Sequence, residues 1–185
     1  MNISNVKTFT KVADLILDPL SKKYFEIKWY TEHKEFYTDE VDRIYIITEN
    51  DIIKKIGGSA CKGGLFKTIT TYRDSSLSGK PSPRTFGIPV LINESLNKGN
   101  NISIYGMLGE KIIQKIKGLY DEDEIITSPN YKHSEDKCLI DYNKIYNRYP
   151  DWNFQENGEE WPSYILEQHK NLVYKKKNDT DENTN

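Results

Sequence analysis

The stretch from Arg43 to Arg73 restricts the fold more than any other part of the chain: RIYIITENDIIKKIGGSACKGGLFKTITTYR. Two runs rich in β-branched residues, Arg43–Ile47 and Ile52–Ile56, flank a polar Thr48-Glu49-Asn50-Asp51 turn, a pattern that predicts an antiparallel hairpin. Gly57 and Gly58 punctuate the second strand. Leu65, Ile69 and Tyr72 then recur at helical spacing, which predicts a helix from about Leu65 to Arg73. Tyr45 therefore leaves the first strand, Lys54 and Lys55 the second, and Arg73 the helix end, so a phenol and several cations are gathered in one short supersecondary unit.

Around this unit the chain reads as mixed. VADLILDPL predicts a short helix stopped at Pro19, and YFEIKWY alternates like a strand. SSLSGKPSPRTFG, residues 75–87, has the Ser, Pro and Gly content of an exposed loop. IPVLINESLNKG reads as an amphipathic helix closed by Gly99, NISIYGM as a third strand, and residues 110–117 as a further short helix. The tyrosine-rich stretch 127–150 yields no regular element. GEEWPSYILEQHKNLVY predicts a last helix, with Pro162 tolerated in its first turn. The expected architecture is α+β, a small central antiparallel sheet flanked by helices. Residues 1–40 form an N-terminal extension packed on the core, residues 41–174 the main domain and residues 175–185 a disordered polar tail.

A chain of 185 residues suffices for one well-cored domain. No apolar run approaches the roughly 20 residues that span a bilayer, and the N-terminus lacks the layout of a signal peptide. Cys61 and Cys138 make neither a disulfide framework nor a metal knuckle, so a reduced cytoplasmic setting is expected. The net charge of −2 announces no polyanion partner, but its distribution does. From Lys54 to Arg84 there are seven basic residues (Lys54, Lys55, Lys62, Lys67, Arg73, Lys80, Arg84) and one acid, Asp74. Such a local field steers a polyanion to one face; a solvated loop with helix-end lysines has the same composition.

The order of hairpin, helix, basic loop, helix, strand and late glutamate-bearing helix resembles the GIY-YIG nuclease superfamily, in particular a branch with a phage endonuclease and type II restriction enzymes. The first motif stands here as Arg43-Ile44-Tyr45 and the second as Lys55-Ile56-Gly57. ITTYR at 69–73, VLINESLNKGNNISIY at 90–105 and Glu160-Trp161-Pro162 with Tyr164-Ile165 extend the similarity over roughly residues 41–171. Lys55 stands in place of the second motif's tyrosine. The arginine that usually follows that motif has no direct counterpart; Lys67, Thr68 and Arg73 lie in its region, and Arg73 is the expected substitute.

The resemblance implies Mg²⁺-dependent, site-specific hydrolysis of double-stranded DNA. Tyr45 would act as general base or water-orienting group, helped by Lys55, Lys67 and Arg73, with Glu160 the single side-chain metal ligand. Lys62, Lys80, Arg84 and Asn171 would contact DNA. Palindromic sites would favour a homodimer or site-bridging oligomer. Each residue also has a plainer reading. Tyr45 suits a cross-strand aromatic, Lys55 a solvent-facing lysine, and Arg73 and Glu160 answer helix dipoles. Two rival readings stand beside this one. Asp18 with Glu26-Ile27-Lys28 mimics a PD-(D/E)xK nuclease site, and the missing arginine suits an inactive DNA-binding module.

Overall fold

The computed structural model describes residues 1–20, 22–38, 42–60, 62–75, 80–109, 112–120, 123–128 and 130–182, with residues 128 and 175–182 as backbone only. Cys61, residues 76–79 of the expected loop, Asp121 and Glu122 of the acidic run and residues 183–185 lie outside the described residues.

Strands β1 (Thr10–Ile16), β2 (Glu26–Trp29), β3 (Arg43–Glu49), β4 (Ile52–Ser59) and β5 (Ile102–Leu108) form one sheet in the order β2-β1-β5-β3-β4. Every pairing in it is antiparallel. The expected hairpin is β3–β4. Asn50 and Asp51 turn it with φ of 48° and 64°, the left-handed pair that matches the twist of the flanking strands. β1 replaces the helix expected at VADLILDPL. It is an interior strand in which Val12, Ala13 and Leu15 all join one core, and a bulge between Lys11 and Ala13 breaks the alternation that identifies a strand. Of the stretch 110–117, residues 110 and 111 lie outside the described residues, and the rest is likewise a strand rather than a helix. β6 (Ile112–Lys117) pairs with β7 (Asp123–Ser128) as a separate hairpin, its β-branched isoleucines favouring the extended form.

The helices are α1 (Glu35–Thr38), α2 (Gly64–Arg73), α3 (Pro83–Asn97), α4 (Tyr131–Tyr146), α5 (Phe154–Asn157) and α6 (Ser163–Glu182). One face of the sheet gives Tyr45 and Ile47 to a core with Leu65, Ile69 and Tyr72 of α2 and Ile88 and Ile92 of α3. The other face packs Ile44, Ile46, Ile53 and Ile56 against Leu139 and Tyr142 of α4. Each aliphatic side chain so buried stabilises the fold by about 1.5–3 kcal/mol. α6 rests on α3 through Ile165, Phe86 and Val90, and it continues to Glu182 through most of the segment expected to be a tail.

α3 takes up the last five residues of the expected loop. Ser82 accepts from the Thr85 amide at 3.2 Å and Pro83 takes the first helical position, a paired start signal. α4 fills the stretch that gave no element. Asp42, buried just before β3, accepts from the amides of Asn130 and Tyr131 and so docks the start of α4 onto the sheet. The segment after α4 returns along β4. There the buried Asn153 side chain donates to the Ile56 carbonyl at 3.0 Å and accepts from the Ile56 amide at 2.9 Å. Among the described residues no helix is long and apolar enough to cross a membrane.

Candidate active site

The register places Tyr45 opposite Gly57. A Cβ at Gly57 would fall 2.5 Å from both Cζ and the hydroxyl oxygen of Tyr45, so the phenol lies across β4 where only glycine leaves room. Its hydroxyl shares a 2.9 Å hydrogen bond with that of Tyr72 on α2. Tyr45 is 1% exposed. Burial, then Tyr72, hold its pKa well above 10; Arg84 opposes them, and Glu135 adds to the rise.

Lys55 lies on the Tyr45 side of β4, two residues from Gly57, and is 2% exposed. Burial and the neighbouring charge of Arg84 push its pKa down to about 8, against the pull of Glu156 and Glu135. Arg84, in the first turn of α3, is exposed overall, but its guanidinium comes within hydrogen-bonding reach of Tyr45. Partial burial of that head works against its charge; Tyr72, Tyr45 and Glu135 outweigh it and hold the pKa above its usual value.

The acid of this cluster comes from the other side of the sheet. Glu135, one turn into α4, is half-buried, and a Cβ at Gly58 would fall 2.7 Å from its Oε2. The glycine pair on this outer strand thus lets a carboxylate from one layer face cations from the other. Burial raises the Glu135 pKa, while Lys55, Arg84 and the Gly58 amide draw it back. A small cavity of about 30 Å³, bounded by Lys55, Arg84, Trp152, Phe154, Gln155, Glu156 and Trp161, opens beside the cluster. Trp161 packs directly against Gly87 and stacks on Phe154 with ring centroids 4.5 Å apart.

Of the residues singled out in the sequence, Tyr45, Lys55 and Arg84 come together. Lys62, Lys67 and Lys80 are exposed, and so is Asn171 on α6. Arg73 pairs with Asp74 at 2.8 Å and Glu26 at 3.9 Å. Glu160 is exposed in the segment before α6, and the carboxylates that act on Lys55 are Glu156 and Glu135. Glu135 was missed because its helix was missed, although Tyr131, Glu135, Cys138 and Tyr142 recur at the spacing of one helical face. The residues of the rival nuclease site are engaged elsewhere. Asp18 accepts from the amides of Leu20, Lys22 and Lys23 at 2.8–2.9 Å, Glu26 pairs with Lys23 at 3.8 Å, and Lys28 is exposed. Among the described residues no group of three or more His, Cys, Asp or Glu is arranged to hold a metal ion.

No protein-family model matches the chain, and no curated protein matches it significantly. Solved structures do. A variant of bacteriophage T4 EndoII aligns with a TM-score of 0.55 at 22% identity, covering 82% of this chain and 96% of that one. A restriction endonuclease in complex with product DNA aligns with a TM-score of 0.47 at 19% identity, covering 80% of this chain and 82% of that one. The α+β fold, a small central antiparallel sheet flanked by helices as the sequence predicted, is thus shared with EndoII.

Proposed function

We propose that this protein is a Mg²⁺-dependent DNA endonuclease that hydrolyses phosphodiester bonds in duplex DNA. One observation carries the reading: Tyr45, Lys55, Arg84 and Glu135 converge at Gly57 and Gly58 from separate elements. The fold shared with EndoII supports it. Glu135 suits the metal. Its carboxylate lies over Gly58, where the missing Cβ leaves it room, and offers a hard oxygen donor; magnesium favours few carboxylates with water and phosphate completing its shell. Bound there, Mg²⁺ would polarise the phosphate and stabilise the leaving oxygen.

The chain's own residues divide the remaining work. The Tyr45 hydroxyl holds its proton firmly, so it orients the attacking water. Lys55, mostly an ammonium at pH 7, has with a pKa of about 8 a neutral fraction that can receive the proton this water loses. The water oxygen bonds to phosphorus, the P–O bond to the leaving oxygen breaks, that oxygen takes up a proton from solvent, and the DNA strand is nicked.

The finer reading is a site-specific, type II restriction-like enzyme acting as a homodimer, since a two-fold protein matches a palindromic site. A second reading, a DNA-binding module without activity, is favoured by the sealing of Tyr45 at 1% exposure. Plasmid DNA incubated with the protein and Mg²⁺, and again with EDTA, separates the two. Metal-dependent cutting that Tyr45→Phe and Glu135→Gln abolish supports the enzyme; a gel shift of intact DNA supports the binding module. Sequencing the ends then tells discrete sites from scattered ones, and sedimentation gives the oligomeric state.

A further inference from the structure

The cations between Lys54 and Arg84 differ in where their heads lie. Lys54 is committed to Asp151 at 2.8 Å and Glu49 at 3.3 Å. Arg73 is committed to Asp74. Lys62, Lys67 and Lys80 are exposed, and Lys55 is sealed. Arg84 is exposed, yet its guanidinium comes within reach of the Tyr45 hydroxyl, and the residue lines the cavity that Lys55 also lines. Glu156 lines that cavity too, and with Glu135 it balances part of the positive charge of Lys55 and Arg84. The cavity of about 30 Å³ admits water but not a DNA phosphate, so a phosphate reaches this cluster through the exposed Arg84 rather than by entering the cavity.

We propose that Arg84 is a catalytic residue of this site, its guanidinium gripping the non-bridging oxygens of the scissile phosphate and stabilising the charge that builds there in the transition state. This rests on the nuclease reading above. The planar fork of an arginine matches two phosphate oxygens at once, which a lysine cannot do. Ser82 and Pro83 fix the start of α3, which carries Arg84 to the cavity wall beside Lys55, so the donor is positioned before DNA arrives. The cation beside the hairpin tyrosine thus comes from the helix after the basic loop, not from α2, whose Thr68 is tied to Ser59 at 2.7 Å.

Wild type, Arg84→Ala and Arg84→Lys are compared by single-turnover cleavage at saturating enzyme in Mg²⁺, by DNA binding in Ca²⁺ and by thermal melting. The expected result is a rate loss on the order of 100- to 1,000-fold in Arg84→Ala with affinity changed less than about tenfold. Arg84→Lys, which keeps the charge but not the fork, should recover only a small part of the rate even if Arg84→Ala melts early. Cleavage by Arg84→Ala within about tenfold of wild type, full activity in Arg84→Lys, or a loss confined to affinity would each overturn the assignment. A wild-type protein that never cuts would instead sink the nuclease reading, and this inference with it.

Discussion

Lys55→Met should make the protein more stable while removing its activity. Lys55 is an amine buried almost completely between β4 and the cavity, with only a long 3.5 Å approach to the Ile56 carbonyl. Its pKa falls from the ordinary 10.5 to about 8, mainly through burial. At about 1.36 kcal/mol for each tenfold change, holding the charge there costs the folded state about 3 kcal/mol. Methionine fills similar volume without the charge. Removing the ammonium also deprives Glu135 and Glu156 of an attractive neighbour, which returns part of the gain. A net gain of about 1–2 kcal/mol at pH 7 is expected, or roughly 2–6 °C in Tm for a domain of this size. The pH dependence is the sharper signature. Because the folded pKa lies below the unfolded one, the penalty is fully present below pH 8 and disappears as pH rises towards 10.5. Melting curves at pH 7 and pH 10 should therefore show the variant's advantage shrinking with pH. A variant less stable than wild type at pH 7, or an advantage unchanged at pH 10, would refute the reasoning.

Glu135→Gln should lower Mg²⁺-dependent cleavage by at least about 100-fold in a single-turnover assay, whereas Glu160→Gln, exposed and outside the cluster, should stay within a few-fold of wild type. Gly57→Ala drives a methyl into the Tyr45 ring and should cost about 1–3 kcal/mol in urea unfolding, together with most of the cleavage rate. Asn153→Ala strands the amide and carbonyl of Ile56 away from their partner. It should cost about 2–4 kcal/mol, read as a drop in the urea midpoint. EDTA should stop cleavage without moving the melting temperature by more than about a degree, since Glu135, where the metal would be held, lies outside the two apolar clusters.

The hairpin, α2 and the phenol-and-lysine half of the site were legible because their signals are local. β-branched runs, an Asn-Asp turn and a glycine pair each act within a few residues. β1 was not legible, because the bulge between Lys11 and Ala13 puts the neighbours Val12 and Ala13 in the same core and interrupts the period. α3 was half legible: its apolar stripe showed, but the Ser82-Pro83 start lay hidden in a run that composition assigned to loop. Glu135, the carboxylate of the proposed site, went unread for a related reason: α4 buries only Leu139 and Tyr142, so its periodicity is faint. What brings Glu135 to Lys55 is Asp42 gripping the start of α4 across 88 positions of chain, a contact no local pattern encodes.

Because Gly57 and Gly58 lie on the outermost strand, the chemistry sits on the rim of the sheet and belongs to neither of its faces. A double helix meeting this protein would approach edge-on at the Gly57–Gly58 end of β4, beyond the segment that covers Lys54–Ile56, with α2 and α3 to one flank and α4 to the other. The two flanks could then diverge independently, one altering which bases are read and the other how the ion is held, while the rim between them stays the same.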